Sequence, residues 1–138
     1  FDGIEFGTEM INGKIDRIEK LSDGTYALYD YKTSSPTSKN QYKEGGKRED
    51  YFIQLCCYKY AFEKKTGYKV SQVGVIYAEN HTKSVVLELS EEDMKYVETL
   101  VLDTYQNIRN LNFEVPITVS ETACAWCGYK ELCKLDVI

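Results

Sequence analysis

The sequence predicts an α/β (α+β) domain: a central mixed β-sheet of about five strands flanked by helices. Three observations support this class. Segments that alternate apolar and polar residues, rich in β-branched and aromatic side chains, fill the first third and recur after residue 70. Segments with a helical apolar stripe lie between and after them. The resulting order is strand, strand, strand, helix, strand, strand, helix, and such mixing requires helices against at least one face of the sheet.

The elements follow in order. Residues 4–10 read as a strand, and Asn12-Gly13 as a turn. Residues 14–21 and 25–33 alternate around Asp23-Gly24 and read as a β-hairpin. Residues 34–46 are polar, with Pro36 and Gly45-Gly46, and read as an exposed, mobile loop. From residue 48 to 65, Tyr51, Leu55, Tyr58 and Phe62 are spaced by 4, 3 and 4, which is one helical stripe, and Gly67 is placed to cap it. Residues 72–79 and 82–89 form a second strand pair turning at Asn80-His81. Ser90-Glu91-Glu92-Asp93 is a capping box that opens a helix with Met94, Val97, Val101, Tyr105 and Ile108 on one face. Residues 112–138 have no clear period and form a cysteine-bearing tail.

Composition narrows the function. A chain of 138 residues suits a single domain with its own core. At 43% hydrophobic and with two prolines it is not a disordered chain. It has no apolar run of the ~18 residues a membrane helix needs. A formal charge of −5 argues against nucleic-acid binding through the overall field. The chain opens on Phe1 without a leader pattern, which reads as a piece of a longer, cytoplasmic protein. An odd count of five cysteines reads as reduced thiols or metal ligands, not a disulfide framework.

The hairpin carries the first candidate chemistry. Asp30 and Lys32 lie two apart on one strand and share a face with Tyr26 and Leu28. Whether Asp16 joins them depends on the turn. A two-residue loop sets Asp16 opposite Tyr31. A three-residue Ser22-Asp23-Gly24 loop, with glycine in the left-handed last position, sets Asp16 opposite Asp30, and is the expectation. Two facing carboxylates repel, and a hard divalent cation such as Mg²⁺ or Mn²⁺ offsets that repulsion. Lys32 beside them could hold an attacking water or stabilise charge on a phosphate. On an exposed hairpin the same residues would only make solvated ion pairs of ~0–1 kcal/mol.

Cys124-x2-Cys127-x5-Cys133 is a metal-ligand spacing one ligand short of a zinc or iron–sulfur site. Unligated thiols in the tail are the alternative. Cys56 and Cys57 fit buried core thiols better than ligands, and His81 fits a solvated turn.

These motifs together carry a resemblance. Gly13-Lys14-Ile15-Asp16-Arg17-Ile18, Asp30-Tyr31-Lys32-Thr33-Ser34, Gln54-x3-Tyr58 and the cysteine trio, in that order over nearly the whole chain, are similar to the RecB-like branch of the PD-(D/E)xK nucleases. The chain looks most like the iron–sulfur members: AddB-type helicase–nuclease subunits and CRISPR-associated RecB-like exonucleases. The resemblance implies a restriction-endonuclease-like core and metal-dependent, exonucleolytic cleavage of DNA in recombination or repair, with a helicase partner possible. It makes Asp16 and Asp30 metal ligands together with the Tyr31 carbonyl, Lys32 the catalytic lysine, and Gln54 and Tyr58 the helix motif completing the site. Four residues apart on a helix is one face, which fits Gln54 and Tyr58, although Tyr58 also fits the core stripe. The resemblance further implies that Cys124, Cys127 and Cys133 bind a [4Fe–4S] cluster in a longer parent. The first cysteine, and an acidic or His residue on a helix, would then lie upstream of Phe1.

Residues 32–48 carry a local +4, leaving −9 for the remainder. Because salt screens charge over ~8–10 Å, a phosphate near Lys39, Lys43, Lys47 and Arg48 would feel that patch more than the net charge. Tyr42 and Tyr51 are candidates for stacking on bases. The rival to a nuclease is a non-catalytic, metal-stapled module that binds nucleic acid or a partner protein.

Overall fold

The computed structural model describes residues 1–79, 83–113 and 125–133. The backbone divides into two compact units, residues 1–104 and 105–138. Unit 1 begins with a small antiparallel hairpin of β1 (Ile4–Phe6) and β2 (Glu9–Ile11). The main sheet is four-stranded, in the order β3 (Arg17–Lys20), β4 (Tyr26–Lys32), β5 (Val70–Tyr77) and β6 (Ser84–Leu87). Four strands stand where about five were expected. Residues 4–10, expected as one strand, fold back on themselves at Gly7 and pair locally instead of joining the sheet.

β3 and β4 pair antiparallel, with Arg17 opposite Tyr29 and Lys20 opposite Tyr26. Carried past the strand end, this register sets Asp16 opposite Asp30, as a three-residue loop requires. The Leu21 N–H donates to the Thr25 carbonyl at 2.8 Å, and Gly24 takes φ +84° in the last loop position.

β4 and β5 run parallel, so a crossover must join them, and α1 (Glu49–Thr66) supplies it. Its last turn ends at Gly67, whose φ of +73° is the left-handed cap conformation that suits glycine. The Gly67 N–H donates to the Glu63 carbonyl at 2.8 Å. α2 (Glu91–Arg109) starts at the capping box: the Ser90 N–H donates to Asp93 Oδ2 at 2.9 Å, and the Asp93 N–H to Ser90 Oγ at 3.1 Å.

The core lies between α1 and one face of β4–β5. Leu28, Val73, Val75 and Tyr77 from the sheet meet Phe52, Leu55, Cys56, Tyr58 and Phe62 from α1. Leu87 and Val97 extend the cluster, and the Phe52 and Tyr96 rings stack at 6.4 Å. Cys56 is a core thiol whose ionisation burial pushes up, and Cys57 beside it is half-buried.

The segment 34–48 departs from the expectation of a free loop. A single 3-10 turn, Lys39–Gln41, sets Tyr42 into the core, where its hydroxyl hydrogen-bonds the Tyr77 hydroxyl. Tyr42 is therefore an anchor of the loop and not a platform for bases. The second strand pair forms between β5 and β6, and its turn at Asn80-His81 lies outside the described residues. In unit 2, α3 (Lys130–Cys133) is a single helical turn. Among the described residues, no helix is long and apolar enough to cross a membrane.

Candidate active site

Asp30 and Lys32 occupy the carboxyl end of β4, on the face covered by α1. In a sheet with parallel strands this end is where ligands are usually bound. The crossing of α1 over β4 turns a hairpin pattern into a buried site. Among the described residues, Asp30 is the buried charged residue of the core, at 4% exposure. Burying a carboxylate is costly unless it is paired and hydrogen-bonded, so its neighbours matter.

Those neighbours come from α1 and β4. The Tyr58 hydroxyl donates to Asp30 Oδ1 at 2.9 Å. Lys32 Nζ lies 2.7 Å from Asp30 Oδ2 and donates to Gln54 Oε1 at 2.8 Å. Gln54 Nε2 donates to the Tyr58 hydroxyl at 3.0 Å. Asp30, Lys32, Gln54 and Tyr58 thus close a ring of polar contacts. Gln54 and Tyr58 stand one helical turn apart and together bridge the two strand residues. Burial, and then the hydrogen bond to Asp30, push the Tyr58 phenol far above its ordinary range, so it remains a donor at neutral pH. The Asp16 charge contributes in the same direction, so both carboxylates act on one hydroxyl.

Asp16 is exposed and lies just before β3. Its Oδ2 accepts the Tyr31 N–H at 3.0 Å, which holds the carboxylate against the β4 edge beside the Asp30–Tyr31 peptide. The solvated ion-pair alternative does not describe this site, because the Asp30 and Lys32 side chains are only 5% and 21% exposed.

Tyr51 belongs to the site although its sequence position suggested core packing or base stacking. Its ring lies 4.5 Å from Lys32 Nζ, and its hydroxyl shares a 3.0 Å hydrogen bond with Ser34 Oγ. Arg48 stacks on the same ring at 5.0 Å and donates to the Ser35 carbonyl at 3.1 Å. The available signal was spacing: Tyr51 precedes Gln54 by three residues and so shares its face.

The fit of a divalent cation turns on Asp30 Oδ2. That oxygen is buried and has no well-directed hydrogen bond, despite the nearby Lys32 charge. An acceptor left in that state is what a hard cation would complete. Among the described residues no three His, Cys, Asp or Glu side chains are grouped to hold a metal. Two carboxylates and a backbone carbonyl suffice for Mg²⁺, which keeps several of its waters.

The remaining predicted residues are placed as follows. Lys39, Lys43 and Lys47 are exposed on the loop leaving β4, while Arg48 is half-buried under Tyr51. Cys127 is an exposed thiol, Cys133 closes α3, and Cys124 lies outside the described residues.

The model of the PD-(D/E)XK nuclease superfamily matches residues 1–134. The chain belongs to that superfamily. Its members are generally nuclease-type phosphodiester hydrolases that typically use divalent metals such as Mg²⁺ and act on nucleic acid. The mixed sheet with flanking helices is consistent with the restriction-endonuclease-like fold. No curated protein matches the chain significantly.

Proposed function

We propose that the chain is a metal-dependent deoxyribonuclease domain of the RecB-like branch, acting exonucleolytically in recombination or repair. The observation that carries this reading is the buried Asp30–Lys32–Gln54–Tyr58 ring with Asp16 beside it.

Asp16, Asp30 and the Tyr31 carbonyl would hold Mg²⁺ or Mn²⁺. When bound, such an ion acidifies a coordinated water and neutralises charge on a phosphate oxygen. Tyr58 and Gln54 act as positioning residues. Tyr58 fixes the Asp30 carboxylate from one side, and Gln54 fixes the Lys32 ammonium. Lys32 presents a positive charge, backed by the Tyr51 ring, to the phosphate whose charge rises during attack. The spacing of Cys124, Cys127 and Cys133 supports a [4Fe–4S] centre in a longer parent. Iron and sulfide analysis of anaerobically prepared parent protein tests this, and stoichiometric zinc without iron overturns it.

The nuclease reading is tested with end-labelled single- and double-stranded DNA and RNA, in Mg²⁺, Mn²⁺ or EDTA, using wild type and Asp30→Asn. Wild type should release short products from DNA ends only with metal, and Asp30→Asn should not. Binding of DNA without cleavage under every condition would favour the non-catalytic module.

A further inference from the structure

An open groove of about 650 Å³ lies between the 34–48 segment and the start of β6. Thr37, Ser38, Gln41 and Lys47 line one wall, and Lys83 and Ser84 the other. Among the described residues, both charged residues of its lining are lysines, in a chain of net charge −5. The similarly large hollow beside α1 and α2 is lined by Glu63, Glu91 and Glu98 as well as lysines. The groove therefore selects for an anion, and the second hollow does not.

Its walls are built. Gln41 Oε1 accepts the Lys47 N–H at 3.3 Å, the Gln41 carbonyl accepts the Arg48 N–H at 3.0 Å, and Tyr42 pins the segment to Tyr77. Thr37 Oγ1, on the groove wall, is buried without a hydrogen-bond partner, as a donor or acceptor awaiting a ligand or water would be. The sheet relates the groove to the active site. Lys32 is opposite Tyr77 in β5, and the Tyr77 N–H donates to the Lys83 carbonyl at 3.2 Å. Lys32 and Lys83 are thus two strand spacings apart, about 10 Å at ~4.8 Å per step.

We infer that this groove binds the sugar–phosphate backbone of a single strand next to the bond being cut, with Lys47 and Lys83 on phosphates and Thr37, Ser38, Gln41 and Ser84 as neutral donors. The inference rests on the nuclease reading for its substrate class. A volume within the range of ligand clefts suits several backbone units rather than one phosphate.

The test uses the full chain, fluorescein-labelled oligothymidylate and EDTA, with affinity measured against salt. The Lys47→Ala/Lys83→Ala variant should bind roughly 25-fold more weakly at 0.1 M salt, and its log–log salt slope should fall by about 1.4, at ~0.7 per phosphate contact. The charge-matched Lys65→Ala/Lys95→Ala variant, altered on α1 and α2, should bind like wild type. Equal weakening in both variants, no weakening in the groove variant, or no binding by wild type overturns the inference. Cleavage by wild type with metal is scored separately. An unaffected groove variant of an active nuclease defeats only the groove. Selective loss of binding in a protein that never cleaves defeats only the nuclease reading.

Discussion

The Asp30–Lys32 pair offers a prediction that needs no substrate. Lys32→Met removes the counter-charge from a carboxylate whose side chain is 5% exposed. Breaking a buried pair from one side costs ~3–5 kcal/mol, and Tyr58 still holds Oδ1, so the lower end, about 3 kcal/mol, applies here. Asp30→Leu leaves Lys32 with Gln54 Oε1 at 2.8 Å and partial access to solvent, so it should cost about 2 kcal/mol. In the double variant the pair is gone from both sides, but the Tyr58 hydroxyl has lost its acceptor, and about 2 kcal/mol remains. The coupling energy is then about 3 kcal/mol, at the upper end for contacting residues. Urea unfolding followed by circular dichroism, in EDTA so that no cation replaces Lys32, measures all four corners of the cycle. A coupling below about 0.5 kcal/mol would mean a solvated surface pair and would refute the buried ring.

Three further outcomes follow from the same structure. Tyr58→Phe removes a donor to a charged acceptor and should cost about 1.5–3 kcal/mol in urea unfolding. It should lower kcat more than it raises KM, whereas a merely structural role would leave the kcat/KM of the folded protein unchanged. Gly67→Ala places a side chain at φ +73°, where it meets open space but the wrong backbone region, and should cost about 1–2 kcal/mol with cleavage unaffected. Alkaline pH should unfold the protein, because burial holds Cys56, Tyr58 and Tyr77 neutral above their ordinary ranges, near 9 for the thiol and 10 for the phenols. Their stabilisation is complete below pH 9 and is lost as pH rises through the folded-state values. A stability plateau extending unchanged beyond pH 11 would contradict that.

Local features were the most legible in the sequence. The odd hairpin loop, the Gly67 cap and the Ser90–Asp93 capping box each depend on a few neighbouring residues, and each appears with the expected hydrogen bonds. The alternation that put Asp30 and Lys32 on one face also held, because side-chain direction along a strand has a fixed period. What periodicity does not carry is the element that covers that face. The burial of Asp30 follows from α1 crossing over β4 on its way to β5, a tertiary consequence of the parallel pairing. Tyr42 and Tyr51 illustrate the same limit. Both were candidates for stacking on bases, and Tyr51 also for the core stripe, yet Tyr42 locks the loop onto Tyr77 and Tyr51 lies against Lys32. The extra strand was lost for a simpler reason: Gly7 adopts φ +62°, and β1 and β2 satisfy each other locally.

The central claim is that Lys32, held by Asp30 and Gln54, acts on the phosphate. It is tested most directly by the single-turnover rate of DNA cleavage at saturating Mg²⁺ for wild type and Lys32→Ala. Loss of one preorganised charge at the reacting group predicts a decrease of about 10²–10³-fold with DNA affinity in EDTA little changed. A Lys32→Ala protein that folds, binds DNA and cleaves within twofold of wild type would contradict the account.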